Sequence, residues 1–145
     1  MKKLILFITI LLTALITSSY SGLGNLNNKG LLKWHNYYRA KHGVPALKWS
    51  SSLERLAKNW ARHIARRNRM YHRPGNSKGE NIHWSKGYTP SSKRPVKNWY
   101  DEIAYYSYSR PRFSYKTGHF TQVVWKNTRE VGCGWAQASD SGLYV

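Results

Sequence analysis

From Ser51 onward the apolar positions Leu53, Leu56, Ala57, Trp60 and Ile64 recur at steps of three and four. At about 100° per residue those positions share one face of a helix. Arg55, Lys58, Arg62, Arg66 and Arg69 fall on the opposite face. The spacing therefore predicts an amphipathic helix with a basic outer stripe over "SSLERLAKNWARHIARRNRM". Its start is marked by Ser51-x-x-Glu54, the pattern of a capping box. An earlier helix is predicted from about Asn28, closed by Gly43 with Pro45 beyond it. A third, "VKNWYDEIAYYSY", is predicted to begin near Pro95, a residue suited to a first helical position. Its inner face carries Val96, Trp99, Tyr100 and Ile103, with Glu102 at the border of that face and Asp101 nearly opposite.

Between the second and third helices runs "HRPGNSKGENIHWSKGYTPSSKRP", a connection of a length that tends to carry function in compact domains. The short apolar run in "GHFTQVVWKNT" fits strand and helix equally well. "EVGCGWAQASDSGLYV" reads as two strands joined by a turn through Asp140, Ser141 and Gly142. Helices followed by strands predict an α+β domain, and 145 residues suit one such domain.

The first residues change the picture of where that domain begins. Lys2 and Lys3 precede an apolar run from Leu4 to Ile16, and small residues follow through Ser21. The run is shorter than the ~20 residues of a spanning helix, so residues 1–21 are expected to be a secretory signal peptide and 22–145 the mature domain. The formal net charge is +18, and loss of Lys2 and Lys3 leaves +16. Such a charge attracts polyanions, and a secreted protein would meet anionic membrane surfaces and acidic glycans. Nucleic acid is not expected, because no recognition motif accompanies the charge. Cys133 is the only cysteine, which leaves it buried, bridged to another chain, or without its partner. No N-glycosylation sequon occurs.

Acids are scarce: Glu54, Glu80, Asp101, Glu102, Glu130 and Asp140. Glu54 is accounted for by the capping box and Asp140 by the turn. Glu80, in "GEN", and Glu102 have no evident local task. His72, in "MYHRP", and His119, in "GHF", sit in turn-like contexts. A carboxylate that accepts from one imidazole nitrogen fixes the tautomer and frees the other nitrogen for a metal or a proton. Spacing does not bring these four together, and a shared site or four separate residues both fit.

The stretches "HNYYRAKHGVPALKWSSSLERLAKNWA", "GENI", "VKNWYDEI" and above all "GHFTQVVWKNTREVGCGWA" resemble the CAP superfamily of cysteine-rich secretory proteins, insect venom antigens and plant pathogenesis-related proteins. The resemblance runs from about Leu31 to Val145 and is nearest to the branch of Golgi-associated pathogenesis-related proteins. It implies a three-layer α-β-α sandwich with a central antiparallel sheet, and a short helix for the "GHFTQVVW" stretch. It also implies a cleft built by His72, Glu80, Glu102 and His119, with His72 and His119 able to hold Zn²⁺ or another divalent metal. The family's last strand normally runs on to a Pro-x-Gly-Asn close, so the final strand here is expected to be truncated, and the disulfides of many secreted relatives are missing.

Function is expected to be binding rather than catalysis: lipid or sterol in an apolar groove, or an anionic membrane surface, in a defence, venom or host-modulating role. The alternative is a metal-dependent or His/Glu-based hydrolase. Catalytic zinc ordinarily has three protein ligands, and Ser85 and Ser114 are the only guesses for a nucleophile, so this alternative is the weaker expectation.

Overall fold

The computed structural model describes residues 25–145, and the expected signal peptide over 1–21 lies outside the described residues. Helix α1 spans Asn28–Ala40. The Asn27 side chain caps it by accepting from the Gly30 amide at 2.7 Å. It stops as the sequence predicts, with Gly43 in the left-handed region at φ +61°. Strand β1 is Lys48–Trp49 and helix α2 is Ser51–Arg66.

The predicted capping box does not form. Ser50, not Ser51, is the N-cap, and its side chain makes no cap bond. The box therefore falls one residue out of register, since the third helical residue is Leu53. Glu54 instead accepts from Trp49 Nε1 at 2.8 Å and pairs with Lys58. Helix α3, Lys93–Asp101, also starts earlier than expected and puts Pro95 third. That position is tolerated because the first turn has no intrahelical acceptor for its amides. The third helix is shorter than predicted as well. A 3₁₀ turn over Glu102–Tyr105 replaces its last part, and 106–117 is irregular.

Strand β2 is Trp84–Lys86, helix α4 is Gly118–Val123, and strands β3, β4 and β5 are Glu130–Val131, Ala136–Gln137 and Gly142–Tyr144. β5 lies centrally in an antiparallel sheet ordered β2-β5-β4, while β1 and β3 form a separate parallel pair. The turn into β5 is the one the sequence predicts: Ser141 adopts φ +66°, and Asp140 Oδ1 accepts from the Gly142 amide at 3.0 Å.

Alternation along the sheet divides the core into two layers. Leu143, Val145 and Cys133 face one way, into a cluster with Leu31 and Tyr38 of α1, Val96 and Trp99 of α3, and Val123 of α4. Tyr144 and Ala138 face the other way, onto Ile64 and Ala65 of α2. The sheet thus lies between α2 on one side and α1, α3 and α4 on the other. That is the expected helix–sheet–helix sandwich.

The predicted apolar face of α2 is only partly packed. Ala61, Ile64 and Ala65 are buried against the sheet, whereas Leu56 is 40% exposed. Leu53, Leu56, Ala57 and Trp60 instead line a cavity of about 520 Å³. The first of the two strands predicted in "EVGCGWAQ" is broken there into β3 and β4. The amides of Gly132, Cys133 and Gly134 meet no backbone acceptor among the described residues. This backbone runs directly beneath α2. A Cβ on Gly132 would come within 2.1 Å of the Glu54 nitrogen, and one on Gly134 within 2.2 Å of the Lys58 nitrogen. Only glycine allows so close an approach.

Candidate functional site

The four residues His72, Glu80, Glu102 and His119 form two His–Glu pairs. His72, in the coil after α2, meets Glu80 across the long connection, with Nδ1 to Oε1 at 2.7 Å. Glu80 also accepts from the Arg73 amide at 3.0 Å and from Asn76 Nδ2 at 3.3 Å. His119, in the first turn of α4, meets Glu102 of the 3₁₀ turn, again with Nδ1 to Oε1 at 2.7 Å. The other Glu102 oxygen accepts from the amides of His119 at 2.9 Å and Phe120 at 3.2 Å. Glu102 therefore has a structural task that the sequence did not disclose, since it satisfies the start of α4. It stands first in the 3₁₀ turn that follows α3, and from there it reaches across to α4.

The two pairs face each other. The His72 and His119 ring centroids lie 6.4 Å apart, tilted by 34°. Asn81 Nδ2 donates to the His119 carbonyl at 3.1 Å and ties the long connection to α4. Asn76 and Asn81 were missed as supporting residues, although Asn81 belongs to the "GENI" stretch. The site is open: the His72 side chain is 64% exposed and that of His119 33%.

In both pairs Nδ1 is engaged by a carboxylate, so Nε2 carries the free lone pair. That is the donor set of a carboxylate–histidine metal site. With Zn–N bonds of ~2.0–2.1 Å, each ring centroid would stand about 3.2 Å from an ion. The observed 6.4 Å is about twice that, so the rings would close slightly on a bound ion. No group of three or more His, Cys, Asp or Glu placed to hold an ion occurs among the described residues. Among the described residues the site thus offers an ion two imidazole nitrogens and no third protein ligand.

The cavity is a neighbour of this site rather than the same place. Glu80 and Asn81 line its wall, but neither His72 nor His119 does. Its lining is mixed: Leu47, Leu53, Trp60, Ile82 and Trp99 are apolar, Asn81 and Gln122 are polar, and the exposed Arg73, Lys78, Arg129 and Glu130 also border it. His35 lines it too. Burial, followed by the nearby Arg39 guanidinium, lowers this imidazole to about 4 against the pull of the Leu31 carbonyl, so the ring is neutral at pH 7. Cys133 also lines it, with its thiol buried and pushed up to about 12 by desolvation. Such a thiol is protonated and a poor nucleophile. Ser85 Oγ donates to the Tyr88 carbonyl, and Ser114 Oγ accepts from the Lys116 amide, so neither serine bonds an imidazole.

Known proteins place this architecture. The model of the cysteine-rich secretory protein family, CAP, matches residues 32–145. Human Golgi-associated plant pathogenesis-related protein 1 is 42% identical over 118 residues, covering 79% of this chain and 76% of that protein. The secreted protein RBT4 of Candida albicans is 36% identical over 123 residues; the match covers 79% of this chain but only 32% of that longer protein. Among solved structures, that of NaASP2 with Zn²⁺ superposes with a TM-score of 0.67 at 21% identity, covering 86% of this chain and 79% of the other, which establishes a shared fold. Matched by the family model over nearly all of its described residues, and folded as the relatives are, the chain belongs to the cysteine-rich secretory protein (CAP) family.

Proposed function

We propose that this CAP domain is a secreted, non-enzymatic binding protein that takes an acyl chain or sterol into the cavity under α2 and holds a divalent ion weakly between His72 and His119. The observation that carries the reading is the cavity itself. At about 520 Å³ it falls within the range of small-molecule sites, with an apolar wall from Leu47, Leu53, Trp60, Ile82 and Trp99 set among polar and charged residues. Arg73, Lys78 and Arg129 at its rim suit the carboxylate or other anionic head of a lipid. Leu53, Leu56, Ala57 and Trp60 make sense as one wall for an apolar guest, because the helix pattern sets them on one face and all four line the cavity. The net charge of +16 that remains without Lys2 and Lys3 adds attraction to anionic bilayers, about 1 kcal/mol for each basic residue near the surface.

His72 and His119 would supply the protein ligands of an ion such as Zn²⁺, with Glu80 and Glu102 orienting them. A bound ion would supply Lewis acidity and lower the pKa of a coordinated water. Hydrolysis is the less well supported reading. Catalytic zinc is ordinarily held by three protein ligands, and no third His, Cys, Asp or Glu is placed to join the two imidazoles among the described residues.

Titration of the protein with cis-parinaric acid and with dehydroergosterol tests the cavity. Both the parent and Ala57→Phe, which narrows the cavity, should keep the same circular dichroism, and the variant should lose most of its binding. Equal affinity in the two proteins, or no uptake of either probe by the parent, would overturn the lipid reading.

A further inference from the structure

The four most exposed large hydrophobic side chains among the described residues all lie in one segment: Tyr115 at 94%, Tyr105 at 71%, Phe113 at 69% and Tyr108 at 65%. The same segment carries Arg110, Arg112 and Lys116 and contains no acid, since none occurs between Glu102 and Glu130. None of the ion pairs among the described residues involves those three cations. Apolar rings left in water beside unpaired cations are costly for folding alone and suit an interface that is apolar below and anionic above.

We propose that residues 105–116 form a membrane-docking loop. Tyr105, Tyr108, Phe113 and Tyr115 enter the headgroup region of an anionic bilayer, and Arg110, Arg112 and Lys116 meet its phosphates. This rests on the membrane reading given above and names the face that carries it. Phe113 decides between a bilayer and an acidic glycan. It has no polar atom, and a soluble polyanion would leave it in water, whereas the bilayer interface buries it.

The loop is shaped for the task. Its backbone bonds within itself, Arg110 N–H to the Ser107 carbonyl and Thr117 N–H to the Ser114 carbonyl. It is fixed to the domain by Tyr106 packed on the buried Phe120, with ring centroids 5.2 Å apart. Phe120 and Gly118 flank His119 in α4. Docking through this loop would therefore set the His/Glu site at the membrane surface. The other basic surface, Arg55, Arg62 and Arg66 on the outer face of α2, has charge without a comparable group of exposed rings.

Introduced cysteines can report the docked face, because native Cys133 is buried. Tyr115→Cys and Arg62→Cys, each carrying the environment-sensitive dye NBD, are mixed at low salt with vesicles of phosphatidylserine and phosphatidylcholine. The dye at 115 should shift to the blue and brighten, while the dye at 62 should stay as it is in water. Phe113→Ser together with Tyr108→Ser should weaken co-sedimentation with the vesicles roughly tenfold. Tenfold corresponds to only about 55 Å² of apolar surface kept in water at ~25 cal/mol per Å², a small part of what two exposed rings offer, so it is the least loss expected. Co-sedimentation with the dye at 115 still in water would overturn the choice of face while leaving the membrane reading intact. Absence of co-sedimentation at low salt would overturn both. Retention on heparin that is lost in Arg110→Ser/Arg112→Ser, with no vesicle insertion, would replace the bilayer with a glycan.

Discussion

Acid should loosen this protein through His35, a residue of α1 that bears on the cavity. Its ring is 6% exposed, its Nδ1–H donates to the Leu31 carbonyl at 2.9 Å, and it lies 5.9 Å from Trp99. Burial holds the imidazole at about 4 in the fold, against 6.5 in the open chain. The folded value is the depressed one, so the unfolded chain takes up the proton first. The neutral ring's contribution is fully present above pH 6.5 and is lost as pH falls towards 4. A difference of this size corresponds to about 3 kcal/mol at ~1.4 kcal/mol per unit, a large share of a typical domain's stability. His42 and His83 are also lowered by burial and add to the trend in the same direction. The assay is urea unfolding followed by tryptophan fluorescence in steps from pH 7.5 to pH 4. His35→Gln keeps a donor for Leu31 but cannot titrate. It should cost on the order of 1 kcal/mol at pH 7 and then lose about 3 kcal/mol less than the parent over the acid range. Parallel loss in the two proteins would refute the assignment of the acid sensitivity to His35.

Gly134→Ala should lower Tm by on the order of 10 °C, because the new methyl would meet the backbone of α2 at Lys58; a scan matching the parent within a degree or two would rule out that close packing. Glu102→Gln keeps an acceptor for the α4 amides but removes the charge that orients His119, so zinc affinity by calorimetry should fall 10–100-fold, and an unchanged isotherm would remove Glu102 from the site. Cys133 should react with Ellman's reagent only as fast as the domain unfolds, and a rate in native buffer like that of a free thiol would contradict its burial. Lys58 chiefly, then Trp49 Nε1, hold the Glu54 carboxyl down to about 2, so this group stabilises the fold above about 4.5 and loses that contribution as pH falls towards 2; Glu54→Gln should flatten the acid limb there, as read from midpoints between pH 5 and pH 2.

Much of the domain was legible in the chain because local physics dictates it. The three-and-four spacing set α2, Gly43 closed α1, and Asp140–Gly142 made the last turn. Each depends on neighbours a few residues away. The exchange of the expected capping box for a Trp49–Glu54–Lys58 cluster, and the early start of α3, show where that logic stops, since a shift of one residue is decided by what packs against the helix. The types and positions of His72, Glu80, Glu102 and His119 could be picked out as residues without a local task, and the likeness to CAP proteins grouped them. Their pairing could not be read from spacing. His72 and Glu80 lie eight residues apart and Glu102 and His119 seventeen, and no local rule relates such positions.

Two features belonged to the tertiary structure alone. One is the cavity: the sequence marked Leu53, Leu56, Ala57 and Trp60 as an inner face, yet only the placement of α2 over Gly132 and Gly134 decides that this face also lines a cavity. The other is the split in "EVGCGWAQ", where the amides of Gly132, Cys133 and Gly134 meet no backbone acceptor among the described residues. Sequence by itself determined which residues are amphipathic, capped or turned, as these preferences are set within a helical turn or a strand pair. Packing determined which apolar faces meet and which ionisable groups converge, because those distances follow from how the layers stack and not from the chain between them.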